Sequence, residues 1–278
     1  MILVTGATGT VGRALVTELV GQGVAVRAVS RDPARADLPA GVEVVAADLT
    51  DPASVTPHLD GVDAVFLVWP STDPTATAST APELVKALAL RVPRIVHLSA
   101  SGAGDDPASH WGVVERAVTS AGVEWTILRP TGFAANTLMW ADQIRAGDEV
   151  RWPYGEAARS LVHERDLAEV AAHALTRDGH TGARYELTGP VALTQREQVR
   201  AIGRALGREL RWTEMPRPEA VELLTGALGD ASFAGIVLDG WARFVARPEP
   251  VTDTVERITG RPARPYAEWA AERVDRFR

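Results

Sequence analysis

The chain has 278 residues and a formal net charge of −7, and 46% of its residues are hydrophobic and 23% charged. That length suits one large domain, or one domain with a smaller lobe, and the composition is typical of globular proteins. The negative charge argues against a nucleic-acid-binding surface, the lack of cysteine excludes disulfides and thiolate metal sites, and no apolar run approaches the roughly 20 residues of a membrane span.

The first 13 residues, MILVTGATGTVGR, have the order strand, glycine-rich turn, helix. Residues 2–4 predict a buried strand, and the apolar positions of residues 15–20 predict a helix. Between them lies the spacing Gly-x-x-Gly-x-x-Gly, at Gly6, Gly9 and Gly12. In a dinucleotide-binding turn the first glycine permits the tight turn, the second lets the backbone approach a pyrophosphate, and the third lets helix and strand pack closely. A glycine-rich turn in another α/β protein is the alternative.

Residues 24–30 predict a second strand, which ends in Ser30 and is followed by Arg31, with Arg35 a turn further on. In a nucleotide-binding fold this strand end meets the adenosine ribose. An acidic residue there selects NAD, whereas an arginine accepts the 2′-phosphate of NADP. The sequence therefore favours NADP over NAD, and a solvated Arg31 is the alternative.

A third strand is predicted over residues 42–46, and Asp48 and Leu49 follow it. Asp48 at this strand end could hold the adenine amine while Leu49 covers the ring. Equally, Asp48 or Thr50 could cap a helix that begins near residue 52. The sequence leaves both interpretations open.

Three more strands, over residues 63–69, 94–98 and 123–128, alternate with helices predicted over residues 78–90 and 107–121. The first of them is almost continuously apolar, as expected of a central parallel strand. This alternation predicts an α/β fold of the Rossmann type. Its doubly wound parallel sheet would have helices on both faces and ligands at the carboxyl ends of the strands.

The regular alternation ends after Phe133, and the later residues predict mainly helices, with a further strand over residues 184–188. We therefore expect residues 1–133 and about 155–190 to form the NAD(P)-binding domain. Residues of about 134–154 and 191–278 would form a smaller, mainly helical lobe on the substrate side.

These motifs together resemble the NmrA-like branch of the atypical short-chain dehydrogenase/reductase superfamily. The resemblance lies in TGATGTVGR at 5–13, Ser30-Arg31, Asp48-Leu49, SAS at 99–101 and WTILRPTGFAAN at 125–136. VFLVWP at 65–70 and ITGRPARPYAEWA at 258–270 are most similar to the festuclavine/agroclavine dehydrogenase-like group, and the type 2 quinone oxidoreductases are similar too.

The resemblance implies an NADP(H)-dependent oxidoreductase, a type of enzyme that also occurs in secondary metabolism. It would transfer hydride to a small or medium-sized organic acceptor: an iminium or enamine, a quinone, or an activated C=C or C=O bond. A non-catalytic NADP(H)-binding redox sensor and a redox-neutral cyclase or isomerase on the same fold are the alternatives.

The sequence departs from the superfamily in lacking its Tyr-x-x-x-Lys pair. The only tyrosines and the only lysine of the chain are Tyr154, Tyr185, Tyr266 and Lys86. Counting back from the sixth strand places the lysine position near Trp111 and the tyrosine position near Pro107. Because a carbonyl reduction needs general-acid help, an acceptor that is already activated is favoured, for which correct positioning suffices.

His110 and Ser101 are the candidate catalytic residues. His110 lies beside the missing pair and titrates near neutral pH, so it could donate a proton; a solvent-facing histidine is the alternative. Ser101 could bond a substrate oxygen or the nicotinamide amide, or belong to an ordinary turn. Glu115, one helical turn further on, is expected to face solvent.

The predicted cofactor-binding residues lie in the glycine turn or at strand ends: Gly6, Thr8, Gly9, Thr10, Val11, Gly12, Ser30, Arg31, Asp48, Leu49, Val68, Trp69, Pro70, Ser99, Ala100, Pro130, Thr131 and Phe133. The predicted substrate-binding residues are Trp111, Asn136, Trp140, Trp152 and Tyr154. Packing within the lobe is the alternative for the last four.

No group of His, Asp and Glu has the spacing of metal ligands, and no Gly-x-Ser-x-Gly elbow points to a hydrolase. The expected partner is therefore a small-molecule substrate, with neither nucleic acid nor membrane. The tail helices, with Trp241, Phe244 and Trp269, could cover the lobe core or the face of a homodimer. Because the N-terminus already has the pattern of a strand, a cleavable signal is not expected and the default location is the cytoplasm.

Overall fold

A computed structural model describes all residues, 1–278. Its strands are β1 Ile2–Val4, β2 Val26–Ser30, β3 Glu43–Ala46, β4 Ala64–Val68, β5 Arg94–Leu98, β6 Glu124–Pro130, β7 Glu149–Trp152, β8 Ala158–Arg159, β9 Ala183–Leu187, β10 Leu193–Thr194 and β11 Arg211–Glu214. Its α-helices are α1 Thr10–Gly21, α2 Pro52–Val55, α3 Pro74–Ala89, α4 His110–Thr119, α5 Ala141–Ala146, α6 Glu164–Thr176, α7 Gln195–Leu206, α8 Arg217–Leu228, α9 Ala231–Ala246, α10 Thr254–Thr259 and α11 Tyr266–Glu272. None of these helices combines the length and the apolar character needed to cross a membrane.

The chain forms two compact units, each built from separate segments. The first consists of Met1–Pro130, Glu164–Leu187 and Thr254–Arg261. The second consists of Thr131–His163, Thr188–Asp253 and Pro262–Arg278.

These bounds differ from the predicted division by three residues at 131–133 and at 188–190, and by longer segments in two further places. Residues 155–163 lie in the second unit, because β8 pairs with β10 and Val162 pairs with Phe133. Residues 254–261 lie in the first unit, because α10 packs on α6 and β9. Neither pairing is local in sequence, so neither was visible as a local pattern.

The first unit contains a sheet of seven parallel strands in the order β3-β2-β1-β4-β5-β6-β9. Helix α1 packs beside α6, and α3 packs beside α4. The predicted Rossmann-type sheet with surrounding helices is therefore confirmed. The strand order reverses between β1 and β4, which is where open α/β sheets bind their ligands.

Alternate side chains of the strands form the core between the sheet and helices α3 and α4. Leu3, Leu67, Ile95 and Ile127 are fully buried in this layer, together with helical residues such as Leu84. Because successive strand side chains point to opposite faces, His97 and Ser99 lie on the same face as Ile95. His97 and Ser99 therefore lie on the face of the sheet that α3 and α4 cover.

The second unit has a core rich in tryptophan. Trp140, Trp152, Trp241 and Trp269 are all buried there, with Phe277. Strand β7 pairs with β11 in parallel, and β8 pairs with β10 antiparallel. The largest helices of this unit are α7, α8 and α9.

Helix starts differ from the predicted ones where a nearer capping side chain exists. Helix α3 begins at Pro74 because the Asp73 carboxylate accepts a hydrogen bond from the N–H of Thr75, at 2.8 Å. Helix α4 begins at His110 because the Ser109 hydroxyl accepts one from the N–H of Gly112, at 3.1 Å. Either cap supplies an acceptor for a first-turn N–H that has no partner within the helix.

Candidate dinucleotide-binding site

The glycine turn after β1 is tight: a side chain at Gly6 would be strained, and one at Gly12, in the first turn of α1, has no room. Gly6 adopts a φ of +60°, and a Cβ on it would lie 3.1 Å from Cβ of Val68. A Cβ on Gly12 would lie 2.1 Å from the carbonyl oxygen of Gly6. The N–H of Gly9 donates to that same oxygen at 2.9 Å, which closes the turn. The turn is thus a backbone cradle, and it fits a pyrophosphate that must approach main-chain atoms.

Helix α1 starts directly from this turn. Its capping residue is Gly9, which has no side chain to bond the first-turn N–H groups. Those N–H groups and the positive end of the helix dipole are therefore available to an anion. An uncapped helix start beside a glycine cradle is the geometry that a phosphate requires.

A cleft of about 560 Å³ opens beside the turn in the first unit. Eight of the predicted cofactor residues line it: Gly6, Thr8, Ser30, Arg31, Asp48, Leu49, Val68 and Pro70. Val29, Asp32, Arg35, Ala47, Thr50 and Ser71 complete the lining. The cleft therefore runs along the carboxyl ends of β1, β2, β3 and β4.

Two exposed guanidinium groups face this cleft without a protein hydrogen bond or ion pair, those of Arg31 and Arg35. Between them, Asp32 donates its N–H to the hydroxyl of Ser30 at 3.2 Å, and that hydroxyl donates to the carbonyl of Asp32 at 3.0 Å. The hydroxyl of Ser30 thus fixes the loop that carries both arginines. Unpaired guanidinium groups in a cleft suit a phosphate, which they can bond bidentately.

Asp48 also lines the cleft, but it caps no helix. Its Oδ1 accepts hydrogen bonds from the N–H of Thr50 at 2.9 Å and from the Thr50 hydroxyl at 2.8 Å. These bonds, with a smaller contribution from the charge of Arg31, hold the pKa of Asp48 below its usual value. Asp51 caps α2 instead, so the capping role considered for Asp48 and Thr50 is wrong.

Several other predicted cofactor residues do not line the cleft. The indole N–H of Trp69 donates to the hydroxyl of Thr77 in α3, at 2.9 Å, which directs the ring to that helix. Val11 and Pro130 are buried, and Ala100 is half-buried. Gly9, Thr10 and Gly12 belong to the turn and the first helical residues, not to the cleft wall.

Ser99, directly after β5, belongs to a buried ionic network. Its hydroxyl donates to Oε1 of Glu115 at 2.6 Å. Arg129 donates to the same carboxylate twice, from Nε to Oε1 at 2.9 Å and from Nη2 to Oε2 at 2.6 Å. Glu115 is only 5% exposed, so the expectation of a solvent-facing carboxylate is wrong.

The charge state of this network follows from its hydrogen bonds. Burial opposes ionisation of Glu115, but the bonds from Arg129 and Ser99 outweigh it and hold its pKa below the usual value. The hydrogen bonds that Arg129 donates to Glu115 raise the pKa of Arg129. The network is therefore a fixed anion–cation pair at neutral pH.

His97, two residues before Ser99, is a buried polar residue that sequence reasoning missed. Its Nδ1–H donates to the carbonyl oxygen of Leu67 at 3.0 Å, and its Nε2 has no hydrogen-bond partner. Burial lowers its pKa to about 4, so the ring is neutral. The sequence signal for its burial is its place within the apolar run IVHL, because a strand that is covered on both faces leaves no exposed position.

The two candidate catalytic residues lie on the segment from Ser101 to α4. His110, the first residue of α4, is 8% exposed and lies against Trp111, with the ring planes tilted by 39° and 3.9 Å between centroids. The solvent-facing alternative for His110 is therefore wrong, and burial lowers its pKa. Ser101 is exposed, and its N–H donates to the carbonyl of Pro130 at 2.9 Å.

The remaining predicted residues lie in the second unit. The hydroxyl of Thr131 donates to the carbonyl of Ser160 at 2.8 Å, and Phe133 pairs with Val162. Trp140 and Trp152 are buried in the core of this unit, which favours the packing alternative for both.

Two predicted substrate residues of this unit reach its surface. Asn136 is exposed, and Tyr154 has the only positive φ among the non-glycine residues, +58°. The hydroxyl of Tyr154 accepts a hydrogen bond from Nη1 of Arg217 at 3.0 Å.

Comparison with known proteins finds an NAD(P)H-binding family and two relatives named as reductases. Residues 6–178 match the sequence family described as NAD(P)H-binding. The chain is 39% identical over 283 residues to the (4-alkanoyl-5-oxo-2,5-dihydrofuran-3-yl)methyl phosphate reductase of Streptomyces griseus, with 100% of this chain and 99% of the relative covered. It is 36% identical over 286 residues to the NAD(P)H azoreductase of Xenophilus azovorans, again covering 100% of this chain and 99% of the relative.

A similar fold occurs in a solved structure, the NADPH-dependent quinone oxidoreductase of Escherichia coli in complex with NADPH. The TM-score is 0.82 with 24% sequence identity, and 98% of this chain and 99% of that chain are covered.

Proposed function

This chain belongs to the NAD(P)H-binding family, and we propose that it is an NADP(H)-dependent reductase of small or medium-sized organic acceptors. The observation that carries this proposal is the juxtaposition of a side-chain-free glycine cradle with a cleft that holds two unpaired arginines. When bound there, the dinucleotide supplies the hydride. The chain's own residues bind it and orient it.

The proposed cofactor preference rests on the loop after β2. Arg31 and Arg35 line the cleft, and neither guanidinium is used elsewhere in the protein. A 2′-phosphate would pair with them, whereas NAD would leave both guanidinium groups without a hydrogen-bond partner. Asp32 and Asp48 also line the cleft, and their negative charges disfavour a 2′-phosphate. We take the two arginines to outweigh them, because only the arginines can donate hydrogen bonds to a phosphate.

The proposed acceptor is one that needs little proton transfer from the protein. The chain has no Tyr-x-x-x-Lys pair, since its only lysine, Lys86, precedes every tyrosine. Quinones, azo compounds, iminium ions and conjugated C=C bonds are already electron-poor, so a well-oriented hydride donor suffices. The names of the relatives, an azoreductase and a butenolide phosphate reductase, point to acceptors of this electron-poor kind.

Ser101 and His110 are the proposed contacts of the acceptor. Ser101 is exposed beside the end of β6 and can donate to an acceptor oxygen or nitrogen. His110 lies at the start of α4, and burial lowers the pKa of its ring, so its proton-donating form is populated on the acid side of the usual histidine range.

The proposal is tested by following NADPH oxidation at 340 nm with a panel of quinones, azo dyes and cyclic iminium salts. Turnover with at least one class is expected. Tight binding of both NADPH and NADP⁺ without turnover on any acceptor would instead favour the redox sensor.

The cofactor preference has its own variants. Arg31→Ala should weaken NADPH binding by about 10-fold or more and leave NADH binding unchanged, because a charge-assisted hydrogen bond is worth roughly 1.5–3 kcal/mol. The matched control is Arg91→Ala, which removes an exposed arginine paired with Asp60 outside the cleft. Equal loss for both nucleotides, or a wild-type preference for NADH, would overturn the choice of NADP.

A further inference from the structure

Ser99 has a single hydroxyl proton, and the structure commits that proton to a carboxylate. The hydroxyl donates to Oε1 of Glu115 at 2.6 Å, a short distance typical of an O–H donor facing an ionised acceptor. A hydroxyl whose proton is engaged in one hydrogen bond has only its lone pairs left for another. Towards any ligand, Ser99 Oγ is thus an acceptor and not a donor.

The carboxylate that accepts this hydrogen bond is held in one orientation. Both of its oxygens accept from Arg129, whose Nη1 also reaches Oε1 of Glu186 at 3.5 Å. The backbone at Gly104 covers the guanidinium so closely that a Cβ there would lie 3.0 Å from Nη2. The loop is held as well by main-chain bonds from Ser99 to Leu128, at 2.8 Å, and from Ser101 to Pro130, at 2.9 Å.

Such a network is costly to bury, which argues against a purely incidental arrangement. Buried ion pairs seldom stabilise a fold more than apolar residues of the same shape would. Here a glutamate, an arginine and a serine are placed at the carboxyl end of the sheet, the edge at which open α/β sheets bind ligands.

The position of Ser99 along the sheet indicates which part of a dinucleotide it would contact. The cleft residues that suit an adenosine phosphate follow β2 and β3, and the glycine cradle follows β1. Beyond β1 the strand order continues with β4 and then β5, at roughly 4.8 Å per strand. A dinucleotide whose pyrophosphate lies at β1 therefore extends its nicotinamide riboside towards β5, the strand that ends next to Ser99.

We infer that Glu115 and Arg129 are positioning residues that fix Ser99 Oγ as a hydrogen-bond acceptor for the nicotinamide riboside end of the cofactor. The donor on the ligand is an N–H of the carboxamide or an O–H of the ribose. This inference rests on the proposed function only as far as the binding of NADP(H). The Glu115–Arg129 ion pair contacts neither the glycine cradle nor the adenosine side of the cleft, and this inference gives it a function.

The test compares two nucleotides in equilibrium binding. NADPH carries the nicotinamide riboside, whereas adenosine 2′,5′-bisphosphate carries only the adenosine end. Ser99→Ala and Glu115→Gln should each weaken NADPH binding by about 3- to 10-fold, the loss expected for one net hydrogen bond. Neither should change the affinity for adenosine 2′,5′-bisphosphate by more than about twofold. That second affinity also shows that each variant is folded.

A double variant separates positioning from general structural support. If Glu115 acts through Ser99, the pair Ser99→Ala with Glu115→Gln should bind NADPH no more weakly than Ser99→Ala alone. Additive losses would overturn the positioning role. So would a loss that affects both nucleotides alike, or a change of less than twofold for NADPH in both single variants.

The donor is identified with the 3-acetylpyridine analogue of NADPH, in which a methyl group replaces the amide NH₂. If the carboxamide donates, Ser99→Ala should leave the affinity for the analogue unchanged; if the ribose donates, it should weaken both dinucleotides equally. Either result supports the inference. A wild-type protein that binds NADPH but reduces no acceptor removes the proposed activity and leaves this inference intact. A wild-type protein that does not bind NADPH overturns both.

Discussion

Gly12 in α1 packs directly against the backbone of Gly6: a Cβ on Gly12 would lie 2.1 Å from the carbonyl oxygen of Gly6 and 2.9 Å from Cα of Ala7. Both atoms belong to the main chain of the turn, so no side chain can move aside. The start of the helix and the turn are therefore a single rigid piece, and its spacing depends on the absence of one methyl group.

Gly12→Ala should accordingly destabilise the protein and abolish NADPH binding. Alanine is favoured over glycine within a helix by up to about 1 kcal/mol, so propensity alone predicts a gain. The clash should reverse that sign, with a net loss of roughly 2 kcal/mol or more from overpacking. Urea denaturation and a nucleotide titration measure the two effects.

The matched control is Gly21→Ala in the same helix, where a Cβ would meet nothing within 4 Å. It should leave NADPH binding unchanged and the stability equal or slightly higher. If Gly12→Ala behaved like Gly21→Ala, the close contact between turn and helix would be refuted.

The second prediction concerns stability in mild acid and depends on His97. Burial lowers its pKa to about 4 in the folded protein, against an ordinary value of 6.5. Below 6.5 the unfolded chain takes up a proton that the folded chain refuses until about 4. The contribution of His97 to the free energy of unfolding should therefore be constant above pH 6.5. It should fall by about 3 kcal/mol as the pH drops to 4.

His97→Gln should reduce the acid slope by about one proton, since an amide can still donate to the carbonyl of Leu67 but does not titrate. The measurement is the urea midpoint at pH values between 4 and 8 for both proteins. His58→Gln, which removes a histidine outside this layer, serves as the control. An identical acid slope in wild type and His97→Gln would contradict the buried neutral ring.

A third prediction tests the core of the second unit. The hydroxyl of Tyr266, 5% exposed, donates to the hydroxyl of Thr137 at 2.7 Å, and Thr137 donates in turn to the carbonyl of Ala134, also at 2.7 Å. Tyr266→Phe should lower the free energy of unfolding by about 1 kcal/mol, because it removes a donor from a buried acceptor. Thermal unfolding measures the loss.

Tyr185→Phe is the comparison, because the hydroxyl of this half-buried tyrosine only meets Nδ1 of His180 at 2.9 Å. Water can replace that partner, so the change should be within about 0.5 kcal/mol. A larger loss of stability in Tyr185→Phe than in Tyr266→Phe would contradict a buried, stabilising hydrogen bond between Tyr266 and Thr137.

A fourth prediction follows from the proposed role of His110. Burial lowers the pKa of this imidazole, so its protonated form is populated only on the acid side of the usual histidine range. If His110 donates the proton, the rate of NADPH oxidation at saturating acceptor should rise as the pH falls through that lowered pKa. His110→Gln should flatten the profile, whereas His58→Gln should preserve it. A wild-type profile that persists in His110→Gln would remove His110 from the reaction.

Much of the first unit could be predicted from the sequence because its signals are local. Apolar runs of five or so residues, separated by glycine and proline, predict the strands, and the glycine spacing after β1 predicts the tight turn. The resemblance to the NmrA-like branch is confirmed by the family match and by the reductase relatives.

The buried network could not be predicted in the same way. In the sequence, Glu115 is followed by Arg116 in an amphipathic helix, which is the usual pattern of a solvated face. Its true partners, Ser99 and Arg129, lie at the carboxyl ends of two neighbouring strands and meet it only after the sheet has formed. The direction of the Trp69 indole likewise depends on Thr77 of a helix whose placement no local pattern fixes.

The discontinuity of the first unit constrains the order in which the protein can fold during synthesis. Strand β9 pairs with β6 but is made more than 50 residues after it, and α10 of the same unit ends only at Thr259. Until then the growing chain carries an open parallel edge at β6, a surface that invites pairing with other chains. A fragment that stops at Pro130 would keep this edge permanently. We expect it to aggregate on the ribosome or soon after release, despite containing the whole glycine cradle.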